Sequence, residues 1–427
     1  MKFILCIVLG SLLISACGPG QERPTQPSET APVGMHDAQS PTPLPTDTSE
    51  PSQEATTTSS IVTLDPCGST TSPDLSTMTL LFVANWDGDE EIYQIQASGD
   101  KLAKLTNNSV EDILPEWSPD GEKIAYLSKD ASTGMFRLFS MNPEGSQVTQ
   151  KISDNLSIGI SSHPASGEHQ KIDPNITYLP IRWVAWAPDS QHIAFRGTDG
   201  EGSFIMVSDV SDSRPIAIEG DFWVNPSYSI SWSPDGQLIA FDAPVDVSTL
   251  WSRVHIVRPD GSKLQTIYSD VVEESKAQWH PFNQELLVIS NSLGTGREQL
   301  YLMKPDGTDR RALTDTDNVK IWASWSPNGQ MIAYGAVIIN EYLNPLNSGM
   351  YIIDNQGKLL QTIAEETGVD DFHFSWAPDN HHLAFLIKKD NVSNLYIADI
   401  CGGEISLLKE NISAYTPSWK PRVISTH

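Results

Sequence analysis

The sequence predicts an all-β fold, a seven-bladed β-propeller built from four-stranded antiparallel blades. Three observations predict it. A Trp-centred string recurs as Trp117-Ser-Pro-Asp-Gly121, Trp186-Ala-Pro-Asp-Ser190, Trp232-Ser-Pro-Asp-Gly236, Trp279-His-Pro-Phe-Asn283, Trp325-Ser-Pro-Asn-Gly329, Trp376-Ala-Pro-Asp-Asn380 and Trp419-Lys-Pro421. Successive Trp residues lie 69, 46, 47, 46, 51 and 43 positions apart, mostly near the ~40–50 residues of one propeller blade. After each internal Trp comes an apolar strand such as KIAYLS or MIAYGA, then a third such as RLFSM or QLYLM, then a polar fourth such as Gln265–Tyr268 or Arg311–Thr314.

At the N-terminus, Lys2 precedes a nearly unbroken apolar run from Phe3 to Ile14. Twelve helical residues rise about 18 Å, short of the ~30 Å hydrocarbon core, so residues 1–16 read as a secretory signal and not a span. Its end, Ile14-Ser15-Ala16-Cys17, resembles the lipobox of bacterial lipoproteins. That resemblance implies cleavage before Cys17, lipidation of its thiol and a stable acyl anchor. Residues 17–77 follow as a tether. Pro, Ser and Thr fill 22 of the 43 positions from 18 to 60, a composition too poor in apolar surface to offset its ordering entropy.

Residues 78–427 hold the folded part. Leu80–Asn85, Glu91–Ile95 and Lys101–Thr106 match the outer three strands of a blade that lacks its Trp strand, and Pro417–Ile424 offers a Trp strand with nothing after it. Joining them completes a blade with the C-terminal strand innermost and leaves no open edge. In the turns, Pro presets φ, Asp suits the next position and Gly supplies φ > 0 at the exit. Trp279-His-Pro-Phe-Asn283 lacks both Asp and Gly, so a looser turn is expected there. Once-per-blade recurrence makes the Trp residues packing groups between blades.

These strings resemble the TolB-type propeller repeat, a relative of the WD-repeat blade, from residue 78 to about 421. The propeller for which that family is named has six blades, so the resemblance is to the repeat. It implies periplasmic or cell-surface interaction with protein partners.

Composition narrows the function. The formal charge is −27, from 27 basic and 54 acidic side chains, so a nucleic-acid partner is not expected. GxSxG, GxxxxGK[ST] and HExxH motifs are absent from the sequence, and no metal or other cofactor is expected. His163 and His169 share one long loop, and Asp87-Gly-Asp-Glu-Glu91 resembles part of a calcium loop without the later ligands. Cys67 and Cys401 fall near the closing blade, and export would favour a disulfide between them.

Long insertions at Ser153–Arg182, Asp242–Arg253 and Gly335–Gly349 gather on one rim, together with Trp223, Tyr228, Trp251, Trp322, Tyr342, Phe372 and His373. Variable loops on a rigid scaffold carry function, so these residues are the expected binding surface. The expected protein is a monomeric, lipid-anchored propeller in the cell envelope that binds an envelope protein, a peptide or a cell-wall glycan. An alternative is an enzyme acting on a polysaccharide, because some related seven-bladed propellers are lyases with a histidine-bound metal. Histidine does not recur through the whole ring at one blade position, as such a metal cage would suggest.

Overall fold

Every repeat Trp ends an inner strand, and the turn after it hands the chain to the next strand outward. The inner strands are Asp112–Trp117, Val184–Trp186, Ile230–Trp232, Glu273–Trp279, Val319–Trp325, Phe374–Trp376 and Ser418–Trp419. The computed structural model describes residues 74–150, 184–198, 203–209, 216–218, 229–244, 252–267, 273–291, 297–339, 345–366, 373–389 and 392–422. These residues form seven four-stranded antiparallel sheets, numbered here as blades 1 to 7 from the N-terminus. Among them the one helical turn is Leu75–Thr77, where the Asp74 carboxylate accepts the Ser76 N–H.

Blade 1 closes the ring as the sequence predicts. Ser418–Trp419 pairs with Thr79–Ala84 in the register Leu80↔Trp419 and Leu81↔Ser418, with Glu91–Gln96 and Ala103–Lys104 outside it. Pairing across the ends of the chain removes an unpaired strand edge.

The turns follow from their residues. In three repeats the fifth residue is Gly121, Gly236 or Gly329, at φ of 69°, 69° and 67°. Ser190 and Asn380 take the same left-handed conformation at 57° and 63°, a region costing ordinary side chains ~1–2 kcal/mol. Both offset that strain by bonding the turn of a neighbouring blade. Ser190 Oγ accepts from Asp120 N–H at 3.0 Å, and Asn380 Oδ1 accepts from Asn328 N–H at 2.7 Å. In the divergent repeat His280 Nδ1 accepts from the N–H groups of Phe282 and Asn283, replacing the usual Ser–Asp pair.

The core lies between blades. Seven apolar clusters sit one at each blade–blade interface; Trp419, for instance, packs with Leu80 and Phe82 of blade 1 against Leu386 and Ile397 of blade 7. The expected loop at Gly335–Gly349 is mostly sheet. Met331–Ile339 and Pro345–Asp354 stay paired out to Ile339↔Pro345, because the apolar run Ala336-Val-Ile-Ile339 extends the hairpin. Likewise Asp242 and Arg253 pair within strands of blade 4, so only the tip between them connects.

Candidate functional site

Two of the seven rim residues named from the sequence fall within the described residues, and neither is a surface group. Trp322 is 3% exposed, inside the strand Val319–Trp325, packed with Met331, Phe374 and Trp376. His373 is 2% exposed, its carbonyl accepting from Leu386 N–H and its Nδ1 lying 3.3 Å from Thr416 Oγ1. Burial pushes its pKa down to about 3, so the ring is neutral. Both belong to the packing of the inner strands: Trp322 faces the interface between blades 6 and 7, and His373 continues the sheet one residue before its assigned strand. Trp223, Tyr228, Trp251, Tyr342 and Phe372 lie outside the described residues, as do Cys17, Cys67, His163 and His169. Cys401 sits in the expected turn between Val392–Asp399 and Ile405–Ile412 and is disulfide-bonded.

The acidic loop before Glu91 is tied to a lysine. Lys104 Nζ contacts Asp87 and lies 3.3 Å from Glu91 Oε1, so an ammonium neutralises two of its carboxylates. Among the described residues no group of three His, Cys, Asp or Glu side chains is arranged to hold a metal ion, and no helix is long and apolar enough to cross a membrane.

The inner strands are of two kinds. In four blades the indole Nε1–H donates to the carbonyl just before the Trp of the preceding blade: Trp186 to Glu116, Trp232 to Ala185, Trp376 to Ser324 and Trp419 to Ser375, at 3.0–3.2 Å. In the other three the strand is six or seven residues long and carries a β-bulge, with Leu114 and Lys276 at φ of 52° and 57° in two of them. There Trp117, Trp279 and Trp325 keep buried Nε1–H groups with no acceptor among the described residues. A bulge shifts the local register, and the indole relay breaks where it does.

The bulged strands also place a buried polar residue five positions before each Trp. Asp112 accepts from Asn108 Nδ2 at 2.7 Å, Glu274 from Arg310 Nε at 3.2 Å, and Lys320 Nζ donates to the Asn318 carbonyl at 2.8 Å. Burial raises the Asp112 pKa and lowers that of Lys320 to about 8.

A cavity of about 370 Å³ occupies the axis near the short-turn rim. Its wall is Trp and Pro from the repeat itself: Trp117, Trp186, Trp325, Trp376 and Trp419, with Pro119, Pro281, Pro327 and Pro421 at the turns. Ser375 and Thr416 add hydroxyls. The sequence contains every one of these residues, but recurrence of the Trp points to packing alone, and the ring of prolines around one axis forms only once the blades are arranged.

The family model of the TolB beta propeller domain, PD40, matches residues 178–421, more than half of the chain. The chain belongs to the TolB β-propeller family. Its structure is similar to TolB from Acinetobacter baumannii at 16% identity, covering 78% of this chain and 79% of that one with a TM-score of 0.49. It is similar to an oligogalacturonate lyase from Vibrio parahaemolyticus at 13% identity, covering 80% and 87% with a TM-score of 0.50. It is also similar to the propeller domain of the trilobed protease from Pyrococcus furiosus at 15% identity, covering 78% and 92% with a TM-score of 0.51. That propeller has an open velcro topology, whereas this TolB-family ring is closed by strand pairing at Leu80↔Trp419. At such identities the likenesses show fold. No curated protein sequence matches the chain.

Proposed function

We propose that this TolB-family propeller is an extracytoplasmic scaffold, anchored through lipid on Cys17, that binds a protein partner of the cell envelope. The observation that carries the reading is the closed seven-bladed ring with an aromatic, proline-lined axial cavity open to the repeat turns. A rigid ring holds such a surface in place without moving parts, which suits recognition. The lipobox-like Ile14-Ser15-Ala16-Cys17 and the Pro/Ser/Thr-rich stretch behind it support the anchor and the tether. The test is photo-crosslinking in intact cells, with capture of the tagged chain from the membrane fraction. A single envelope protein crosslinked in stoichiometric yield, lost from the membrane fraction in Cys17→Ala, is the expected result. Capture of no protein, or an unchanged membrane association of Cys17→Ala, overturns the reading.

A further inference from the structure

We infer that the outer edge of blade 7, Ile405–Glu410, receives a β-strand of a partner protein, which pairs antiparallel with it as a fifth strand. This rests on the protein-binding reading above and places a contact on the circumference of the ring, away from its axis.

A sheet edge offers a row of backbone N–H and C=O groups, and proteins blunt it by keeping edge strands short or charged. In five blades the outer strand has two or three described residues, whereas in blades 6 and 7 it has eight. The outer strand of blade 6 ends in Glu365 and Glu366, and Leu359 is its one exposed large apolar residue. That of blade 7 is apolar where it starts. Ile405 and Leu407 are 48% and 47% exposed, in regular pairing with Ala398 and Tyr396, and the register shifts fall beyond them. No described strand lies outside it.

A groove of about 800 Å³ runs beside this edge, between blades 7 and 1. Trp86, Leu102, Leu407 and Leu408 line it, and Leu102 is 43% exposed. At one end the Trp86 indole donates to the Asn411 carbonyl at 2.8 Å, so the open edge stops at Glu410. An added strand serves both features: its backbone bonds the edge, and alternate side chains enter the groove. A helix satisfies its own backbone groups and would leave the edge bare.

Charge decides between a partner strand and a second copy. Lys409 and Glu410 are successive residues, so they point to opposite faces of the sheet. No two-fold antiparallel register can then set Lys409 of one copy against Glu410 of the other. Registers centred on either residue set like charges opposite each other, which is destabilising. A partner strand with an acid opposite Lys409 and a base opposite Glu410 pairs both. Lys409 Nζ lies 5.1 Å from the centre of the Trp86 ring, which keeps its charge beside the groove.

The test titrates the full chain in detergent micelles against a fluorescent, end-blocked peptide Lys-Glu-Ile-Val-Thr-Val, read by anisotropy. Saturable binding is expected. The same peptide with proline in place of its first valine lacks one N–H and should not bind. Leu407→Asp, at an exposed position, should weaken binding roughly tenfold through lost apolar contact. Lys409→Glu should weaken it about threefold, and a peptide whose glutamate is replaced by lysine should restore the affinity of that variant. Leu264→Asp, at an exposed aliphatic residue of blade 4, should leave binding unchanged. No saturable binding, equal binding of the proline peptide, or unchanged affinity in Leu407→Asp overturns the inference. So does a dimer in sedimentation that Leu407→Asp dissolves, which would give the edge to a second copy. The peptide titration can fail while crosslinking in cells still captures a partner, so failure of the edge and failure of the scaffold reading are distinguishable.

Discussion

The Trp419 indole donates to the Ser375 carbonyl at 3.1 Å, joining the last-made strand of the ring to the inner strand of blade 7. The same side chain is 7% exposed and packs into the cluster shared by blades 7 and 1. Removing a buried Trp side chain costs about 3–5 kcal/mol, against ~5–15 kcal/mol for a whole domain. Trp419→Ala should therefore lower the melting temperature clearly in scanning calorimetry. A chain ending at Lys409 loses the whole strand, exposes the edge at Thr79–Ala84 and should aggregate in light-scattering assays. A monomeric truncated chain with unchanged melting would mean that the ring does not depend on this seam.

The two kinds of inner strand separate in urea titrations. Trp376→Phe loses an N–H that is bonded to the Ser324 carbonyl, whereas Trp325→Phe loses an N–H without a described acceptor. Both lose similar ring area. Trp376→Phe should be the more destabilising of the two by about 1 kcal/mol, the net worth of one hydrogen bond.

Glycines in the outer turns divide by what lies behind them. Gly357 is at φ +87°, and a Cβ there would overlap the Leu313 carbonyl of blade 5; Gly403, at φ +72°, has nothing within 4 Å. Gly403→Ala should cost roughly 1–2 kcal/mol for the left-handed backbone alone. Gly357→Ala should cost more, because backbone must move between blades. Chemical denaturation of both variants checks the order.

Acid stability should depend on His373. Its folded-state pKa, about 3, lies below the ordinary 6.5, with desolvation the main cause and Lys388 adding to it. Between those values the unfolded chain takes up a proton that the folded chain refuses, so stability falls as pH drops from about 6.5 towards 3. Above pH 7 the group contributes nothing to the pH dependence. The slope approaches ~1.4 kcal/mol per pH unit for one proton. His255, lowered to about 4, acts in the same direction. Buried acids with raised pKa, such as Asp112 and Glu90, have the opposite sign: their contribution is largest below the unfolded pKa and is lost as pH rises. His373→Asn should flatten the fall between pH 6.5 and 4, measured as unfolding free energy at each pH.

Cys401 is disulfide-bonded, and Cys67 is its expected partner from the sequence. Non-reducing peptide mapping should recover the two cysteines in one linked species. Cys67→Ser and Cys401→Ser should then lower stability equally, by about 2–5 kcal/mol. Unequal effects, or a linked species without Cys67, would reassign the bridge.

The blades and their closure were legible because Trp and the turn after it recur, and a repeat multiplies a weak local signal sevenfold. The bulges were not. Leu114 and Lys276 adopt left-handed φ with side chains that give no hint of it, since the register of neighbouring strands imposes the conformation. Trp322 misled for a related reason. Its strand extends further before Trp325 than the three-residue inner strands do, so a residue read as loop lies in the core. His373 is visible as a histidine near a strand, but its side-chain neighbour Thr416 lies 43 positions away in sequence and meets it only in the closed ring.

The pairing of Leu80 with Trp419 also sets an order of events during synthesis. Among the described strands Thr79–Ala84 is the first made, and its inner partner is the last. Until the C-terminal strand arrives, blade 1 presents a bare strand edge while the other six blades can already pack one upon the next. Contacts this distant in sequence form slowly, and incomplete sheets are where nascent chains associate wrongly. The edge at Thr79–Ala84 therefore stays bare until Ser418–Trp419 has been made, the longest wait of any pair of strands described.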